Sequence, residues 1–403
     1  MVYAERAFRE LEAADGFLWN TMIRGFGICG ESGKAFEWYG RMKERGVVAD
    51  NFTFCFLLKV CGGSGCETVL GKQLHCCVMR HGLDSHVFVR NSLIHMYGMF
   101  GEIEVARQLF DEITDPELVA WNTVIDCCVS CGEFEEAMKL FEAMLARGIE
   151  PDEASLVVTL SACSATGALD FGRWVHSLVD EKGLGGVVTV CNSLVDMYAK
   201  CGAVEAATRI FDGINGRNIV SWNAMISGMA MHGHGNEALG LFSRMLDENL
   251  VCPNEVTFLG VLCACNHNGF VELGRRYFAS MVEDYGLKPT IKHYGCMVDV
   301  LGRCGFVGEA YQLIQSMPME CNAVVWRTLL AACRVHGEVE LGEVVRKHLL
   351  EIEPDHSSDY VLLANMYADS EQWSKTARVR KSMRNRRVQK PVPGNSSVLR
   401  AGV

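Results

Sequence analysis

The chain has 403 residues, too many for one compact core and enough for several domains or one elongated array of repeats. Hydrophobic residues make up 49% and charged ones 22%, which excludes a disordered chain, and the apolar runs are short and broken by charge, which excludes a membrane span. A net charge of -11 excludes a generic basic coat for nucleic acid, because phosphate contacts need Lys and Arg, but leaves open a groove that reads bases by hydrogen bonds.

The first residues, YAERAFRELEAAD, read as the second half of a repeat, with no signal peptide and no Arg-rich, acid-poor transit segment. Upstream sequence, including any targeting peptide, is therefore expected to lie outside this chain. LWNTMIRG at Leu18 then returns as AWNTVIDC at Ala120 and SWNAMISG at Ser221, so Trp19, Trp121 and Trp222 lie 102 and 101 residues apart. NSLIHMYG at Asn91 returns as NSLVDMYA at Asn192, 101 residues on, and Cys61, Cys163 and Cys265 are spaced by 102 both times. Three markers with one period identify a repeat array.

The period subdivides into units of about 31 to 36 residues at 16–50, 51–86, 87–117, 118–152, 153–187, 188–218, 219–254, 255–290 and 291–322, after the tail of another at 1–15. In the unit 118–152, Asn122 to Val129 is predicted as a short apolar helix and Cys131-Gly132 as a turn. Phe134, Ala137, Leu140, Phe141 and Met144 recur at helical spacing, giving a second, amphipathic helix. Arg147-Gly148 closes that helix and Pro151 prevents its continuation. A lone helix pair cannot bury its apolar faces, so neighbours must stack. Two further pairs, 323–356 and 357–390, keep the spacing but replace the Trp-Asn opening by VVWRTLL and DYVLLANMYA; 391–403 is a Pro/Gly/Ser tail. The 19 cysteines fall at helical positions among apolar neighbours, which predicts reduced, buried thiols in an intracellular compartment.

Tetratricopeptide repeats have nearly the same length. The motifs fit another family better. VSWNAMISG followed by EALGLF, and NSLVDMYAKCGAVEAATRIFD, resemble the P-type and S-type repeats of pentatricopeptide proteins, and LSACSATGALDFGRWVHSLV resembles the L-type. The order P, L, S occurs three times, and the two final pairs resemble the E-type extension of that class. The resemblance implies an all-α fold, a right-handed α-solenoid superhelix of stacked helix-turn-helix repeats.

It also implies which positions read RNA, since this family reads one base per helical repeat with two or three side chains. Those positions are the fifth residue and the last. The P-type repeats offer Asn20 with Asp50, Asn122 with Asp152, and Asn223 with Asn254; the S-type repeats offer Asn91 with Glu117, Asn192 with Asn218, and Gly295 with Asn322. An Asn amide carries a donor and an acceptor and so matches a Watson–Crick edge. A second-position Asp only accepts, which suits the N3–H of uracil, whereas Asn can donate to N3 of cytosine. Phe17, Val119 and Val220 resemble the residues that sandwich the base. The alternative is that the fifth-position Asn simply caps or packs the first helix. Glu117 and the side-chain-free Gly295 depart from the pattern, and Cys55, Val157 and Leu259 of the L-type repeats lack an amide or hydroxyl, as spacers would.

Catalytic signatures are incomplete. His336-Gly337-Glu338 matches the first half of the zinc-deaminase signature, but the last cysteine is Cys333, so no downstream Cys pair completes it. Cys128 and Cys131 supply two of four zinc ligands and read as core thiols. His75 and His176 recur in equivalent L-type repeats and read as packing. No phosphate loop, nucleophile elbow or credible carboxylate pair occurs. Lys375, Arg378, Arg380, Lys381, Arg384, Arg386, Arg387 and Lys390 form a basic cluster, either a contact for RNA phosphates or an acidic partner, or a solvated helix end favoured by the macrodipole.

The expected function is therefore sequence-specific binding of single-stranded organellar RNA, in mitochondria or plastids. The chain would act as a site-recognition factor for C-to-U editing that recruits a deaminase-bearing protein in trans, with other editing factors. No catalysis of its own, cofactor, metal, membrane or small-molecule substrate is expected. The alternatives are an RNA stabilisation or splicing factor, and a protein-binding helical scaffold of the tetratricopeptide type.

Overall fold

The computed structural model describes residues 1–11, 14–63, 68–386 and 388. These form 23 α-helices, and among the described residues there is no strand. The chain divides into two units, Met1–Ala203 and Val204–Val403.

The first unit runs α1 (Val2–Arg9), α2 (Gly16–Ile28), α3 (Ser32–Glu44), α4 (Asn51–Gly63), α5 (Thr68–Arg80), α6 (Val87–Met99), α7 (Ile103–Asp111), α8 (Leu118–Ser130), α9 (Phe134–Ala146), α10 (Glu153–Thr166), α11 (Leu169–Glu181) and α12 (Val188–Lys200). The second runs α13 (Val204–Gly213), α14 (Ile219–Met231), α15 (Gly235–Glu248), α16 (Glu255–Asn268), α17 (Val271–Glu283), α18 (Ile291–Arg303), α19 (Val307–Gln315), α20 (Ala323–His336), α21 (Val339–Ile352), α22 (Ser357–Asp369) and α23 (Trp373–Asn385).

Within each unit the packing is one rule applied repeatedly. The first helix of a pair packs on its own second helix and on the first helix of the next pair, as α8 does on α9 and α10, and α16 on α17 and α18. Contacts are thus local in sequence, as a solenoid requires. In the pair Leu118–Ala146 the periodic apolar residues Ala137, Leu140, Phe141 and Met144 are buried, and α8 begins four residues before the expected Asn122. Gly132 at φ 82° and Gly148 at φ 75° end the two helices in the left-handed region that favours glycine.

The Trp markers lie in the core. Trp121 and Trp222 are almost inaccessible, and a phenylalanine from the preceding second helix meets each edge-on: Phe110 at 4.8 Å and Phe211 at 5.1 Å between centroids. Phe8 meets Trp19 in the same way at 4.7 Å. Gly172 lets α11 approach α12, because a Cβ there would collide with Met197.

The described cysteines are free thiols. Cys127, Cys163, Cys265 and Cys333 are buried, as expected, but Cys29, Cys76, Cys252 and Cys304 are exposed, which corrects the expectation that all the thiols are buried. Cys76 lies on α5, whereas Cys29, Cys252 and Cys304 stand in the turns and loops between helices. Among the described residues no helix is long and apolar enough to cross a membrane.

Candidate nucleic-acid interface

Asn20, Asn122 and Asn223 sit one turn into α2, α8 and α14. Each lies beside the strongly buried Trp, about 100° round the helix, so its side chain emerges at the margin of the core. Asn20 and Asn223 are largely buried and Asn122 is half-buried.

The last residues of these repeats stand at the N-termini of the next first helices, where backbone N–H groups lack intrahelical partners. Asp152 caps α10 and Asn254 caps α16, each in a reciprocal box with the third helical residue. Asp50 does the same before α4: the Thr53 amide donates to its Oδ1 at 2.8 Å, and its own amide donates to Thr53 Oγ1 at 3.1 Å.

The fifth and last residues meet in all three P-type repeats. Nδ2 donates to Oδ1 at 2.9 Å from Asn20 to Asp50, 3.0 Å from Asn122 to Asp152 and 3.1 Å from Asn223 to Asn254. The capping role considered for the fifth-position Asn thus belongs to its partner.

A third residue, which the sequence reading did not single out, closes each network. The hydroxyl of Thr53 donates to Asn20 Oδ1 at 2.7 Å; those of Ser155 and Thr257 donate to Asn122 and Asn223 Oδ1 at 2.6 Å. Each hydroxyl also lies 2.8 to 3.1 Å from the cap Oδ1, but it has a single proton and the Asn oxygen is the nearer acceptor in every case. Thr53, Ser155 and Thr257 lie 102 residues apart, a periodicity available in the sequence but hidden by the commonness of Ser and Thr at helix starts.

These networks leave a defined edge. Each Asn keeps one N–H and one lone pair. Asp50 and Asp152 keep Oδ2, an acceptor, whereas Asn254 has committed Oδ1 to the cap and keeps its NH2, a donor. Burial alone would raise the Asp152 pKa, but hydrogen bonds from Ser155 and Asn122 outweigh it and hold the carboxyl below its ordinary value. Beside the edges stand exposed apolar side chains: Phe17 is 75% exposed, and Val119 and Val220 more than half. Phe52, Phe88, Val256 and Val324 share that second-residue position and exposure, and could have been found from the same register.

The S-type pairs Asn91 with Glu117 and Gly295 with Asn322 lack such a network. Asn91 on α6 is half-buried, and its Oδ1 is buried without a hydrogen-bond partner. Glu117 precedes α8 but its side chain makes no cap bond, and Ala120 stands where the P-type networks have a hydroxyl. Asn192 is buried on α12, and Asn218 Oδ1 accepts from the amides of Val220 at 3.0 Å and Ser221 at 3.1 Å. Asn322 caps α20 through the Val325 amide at 3.1 Å, opposite the side-chain-free Gly295. In the next pair the fifth place holds Arg327, whose guanidinium is fixed by the buried Asp359 at 2.8 Å and by Glu353 at 2.5 Å, so it offers no free amide edge.

The other candidates have structural partners. His75 and His176 Nδ1 meet the hydroxyls of Tyr97 and Tyr198 at 2.9 Å. Cys131 donates to the Gly98 carbonyl and Cys127 to that of Ile94. In the basic cluster Lys375 pairs with Glu343 at 2.8 Å, whereas Arg378, Arg380, Lys381, Arg384 and Arg386 are exposed; Arg387 and Lys390 lie outside the described residues, as does the tail 391–403.

The sequence matches the PPR repeat family over residues 14–63, 116–165 and 217–267, the PPR repeat over 88–115, 189–219 and 292–321, and the E motif over 336–399. A pentatricopeptide repeat-containing protein of Arabidopsis thaliana, named chloroplastic/mitochondrial, is 42% identical over all of this chain and 65% of its own length. The chloroplastic CRR2 of the same plant is 37% identical over 97% of this chain and 60% of its own length. A third Arabidopsis member is 36% identical over all of this chain and 89% of its own length. This chain thus spans less than two thirds of the first two. The crystal structure of the maize pentatricopeptide repeat protein PPR10 superposes with a TM-score of 0.63 at 17% identity, over 93% of this chain and 60% of that one, a likeness of α-solenoid fold.

Proposed function

The chain belongs to the pentatricopeptide repeat family, in its class with P, L and S repeats and an E extension, and we infer from this that it binds single-stranded RNA in an organelle, one nucleotide facing each reading repeat. The observation that carries the reading is the fifth-to-last hydrogen bond made alike in three P-type repeats. A chain that merely packed helices has no need of it.

The geometry suggests how the bases are told apart. Where the last residue is Asp50 or Asp152, the outward acceptor matches N3–H of uracil. Where it is Asn254, the outward donor matches N3 of cytosine. The exposed apolar second residues stack on neighbouring base faces, which is sequence-tolerant and supplies affinity without many phosphate contacts. That suits a chain with net charge -11. Base readout ends at the repeat 291–322, because Arg327 is locked where the next reader would stand. The pairs 323–356 and 357–390 then serve a partner, a deaminase-bearing protein acting in trans, and the purpose is C-to-U editing. The relatives' names point to mitochondria or plastids as the compartment.

The test uses a randomised single-stranded RNA pool selected on the chain. Wild type enriches pyrimidines in a fixed register. Asn223→Thr with Asn254→Asp presents two acceptors, which suit N1–H and N2–H2 of guanine, and should convert one position of the enriched sequence to guanosine. A wild-type pool without a fixed register, or a double variant with an unchanged preference, refutes base reading by this repeat.

A further inference from the structure

We propose that the hydroxyl at the third residue of each L-type repeat, on Thr53, Ser155 and Thr257, is a positioning residue for base specificity in the P-type repeat before it. The proposal rests on the RNA-reading function above and adds a third member to each reading pair.

A side-chain amide rotates about a broad terminal torsion, and its two ends differ only in which carries the hydrogens. Reading a base through it requires both the plane and the flip to be held. In each P-type repeat one end is held by Nδ2 donating to the cap Oδ1. The other is held by the hydroxyl donating to Asn Oδ1 at 2.6 to 2.7 Å. The hydroxyl donates there, because an amide oxygen carries no hydrogen, and its own oxygen accepts from the cap residue's amide, at 3.1 Å for Asp50 and Asn254 and 3.3 Å for Asp152. The cap Oδ1 is in turn fixed by the amide of that same third residue, at 2.8 to 3.1 Å. One Ser or Thr therefore orients both members of the pair.

The chain contains its own contrast. After the S-type repeat 87–117 the third residue is Ala120, the Glu117 side chain makes no cap bond, and Asn91 Oδ1 is left buried without a partner. In that repeat the amide has no anchor at its oxygen. The L-type repeats, whose fifth residues Cys55, Val157 and Leu259 offer no amide, thus take part in recognition through their neighbours.

The experiment measures Kd for four single-stranded RNAs of the selected sequence, differing only at the nucleotide facing repeat 219–254, with wild type, Asn223→Ala, Thr257→Val and Thr257→Ser. Thr257→Val is isosteric and should lower the pyrimidine-to-purine Kd ratio about three- to tenfold, the factor that one neutral hydrogen bond supports. Thr257→Ser should retain the ratio. Ser155→Ala, which adds no volume, should do the same at the nucleotide facing repeat 118–152, and it carries the test if Thr257→Val loses helix content by circular dichroism. Equal weakening on all four RNAs, or an unchanged ratio, assigns the hydroxyl to helix capping alone and overturns the proposal. If Asn223→Ala itself keeps the wild-type ratio, the reading function fails instead.

Discussion

Asp152 offers a perturbation in which stability and recognition separate. Its Oδ1 accepts from the Ser155 amide at 2.9 Å and from Asn122 Nδ2 at 3.0 Å. Asp152→Ala removes the N-cap of α10, worth about 1 kcal/mol, and one side-chain hydrogen bond worth about as much. Water reaches the exposed site and recovers part, so a local loss of about 1–2 kcal/mol is expected. Asp152→Asn keeps an oxygen for the Ser155 amide, which forces its NH2 outward, and should cost little. Stacked repeats open locally, so one global unfolding energy would mask the effect. Hydrogen exchange in the first turn of α10 is the suitable assay. There Asp152→Ala should exchange about 5- to 30-fold faster than wild type and Asp152→Asn nearly as slowly. The nucleotide preference facing repeat 118–152 should meanwhile broaden in Asp152→Asn from uridine to either pyrimidine. Because hydrogen bonding lowers the Asp152 pKa, the carboxylate stabilises the fold at neutral pH. That contribution is lost as pH falls below the ordinary carboxylate range through the lowered folded value, whereas Asp152→Asn lacks this acid dependence. Unchanged exchange in Asp152→Ala, or equal acceleration in Asp152→Asn, would refute the cap-centred reasoning.

Two further outcomes are expected. Arg327 holds Asp359, which is 2% exposed, so Arg327→Ala should destabilise α20–α22 by about 3–5 kcal/mol, while Arg327→Met with Asp359→Leu costs far less; additive losses in a double-mutant cycle read by hydrogen exchange in α20 and α22 would show that the pair is not coupled. Burial pushes the thiols of Cys127, Cys163, Cys265 and Cys333 up to about 12, so above their ordinary value of 9.0 the unfolded chain loses protons that the folded one retains. Stability should therefore fall as pH rises from 9.0 toward about 11, and Cys163→Ala with Cys265→Ala should flatten the fall; a denaturation midpoint that holds or rises over this range contradicts it.

Much of the architecture was legible because it is locally encoded. Helical periodicity in Phe134 to Met144, the left-handed Gly132 and Gly148, and the Trp markers describe helix pairs too small to bury their own apolar faces. Boundaries were less legible: α8 starts at Leu118, with Ala120 and Trp121 already buried in its first turn, which an apolar window beginning at Asn122 does not register. The exposed thiols at Cys29 and Cys304 show the limit of reading burial from apolar neighbours in sequence, since both stand just past a helix end, in a turn that leaves the packed face.

By itself the sequence determined the helical repeats, the family and the recurrence of Asn at one position, since each is written within some 35 residues and copied along the chain. Only the tertiary structure decided that Asn122, Asp152 and Ser155 share one network, that Asn91 has no oxygen partner and that Arg327 is locked by Asp359. The physical reason is the stacking itself. It brings the second turn of one first helix against the N-terminus of the next, about 30 residues on, where unpaired amides fix the cap oxygen, and that oxygen in turn fixes the amide of Asn122.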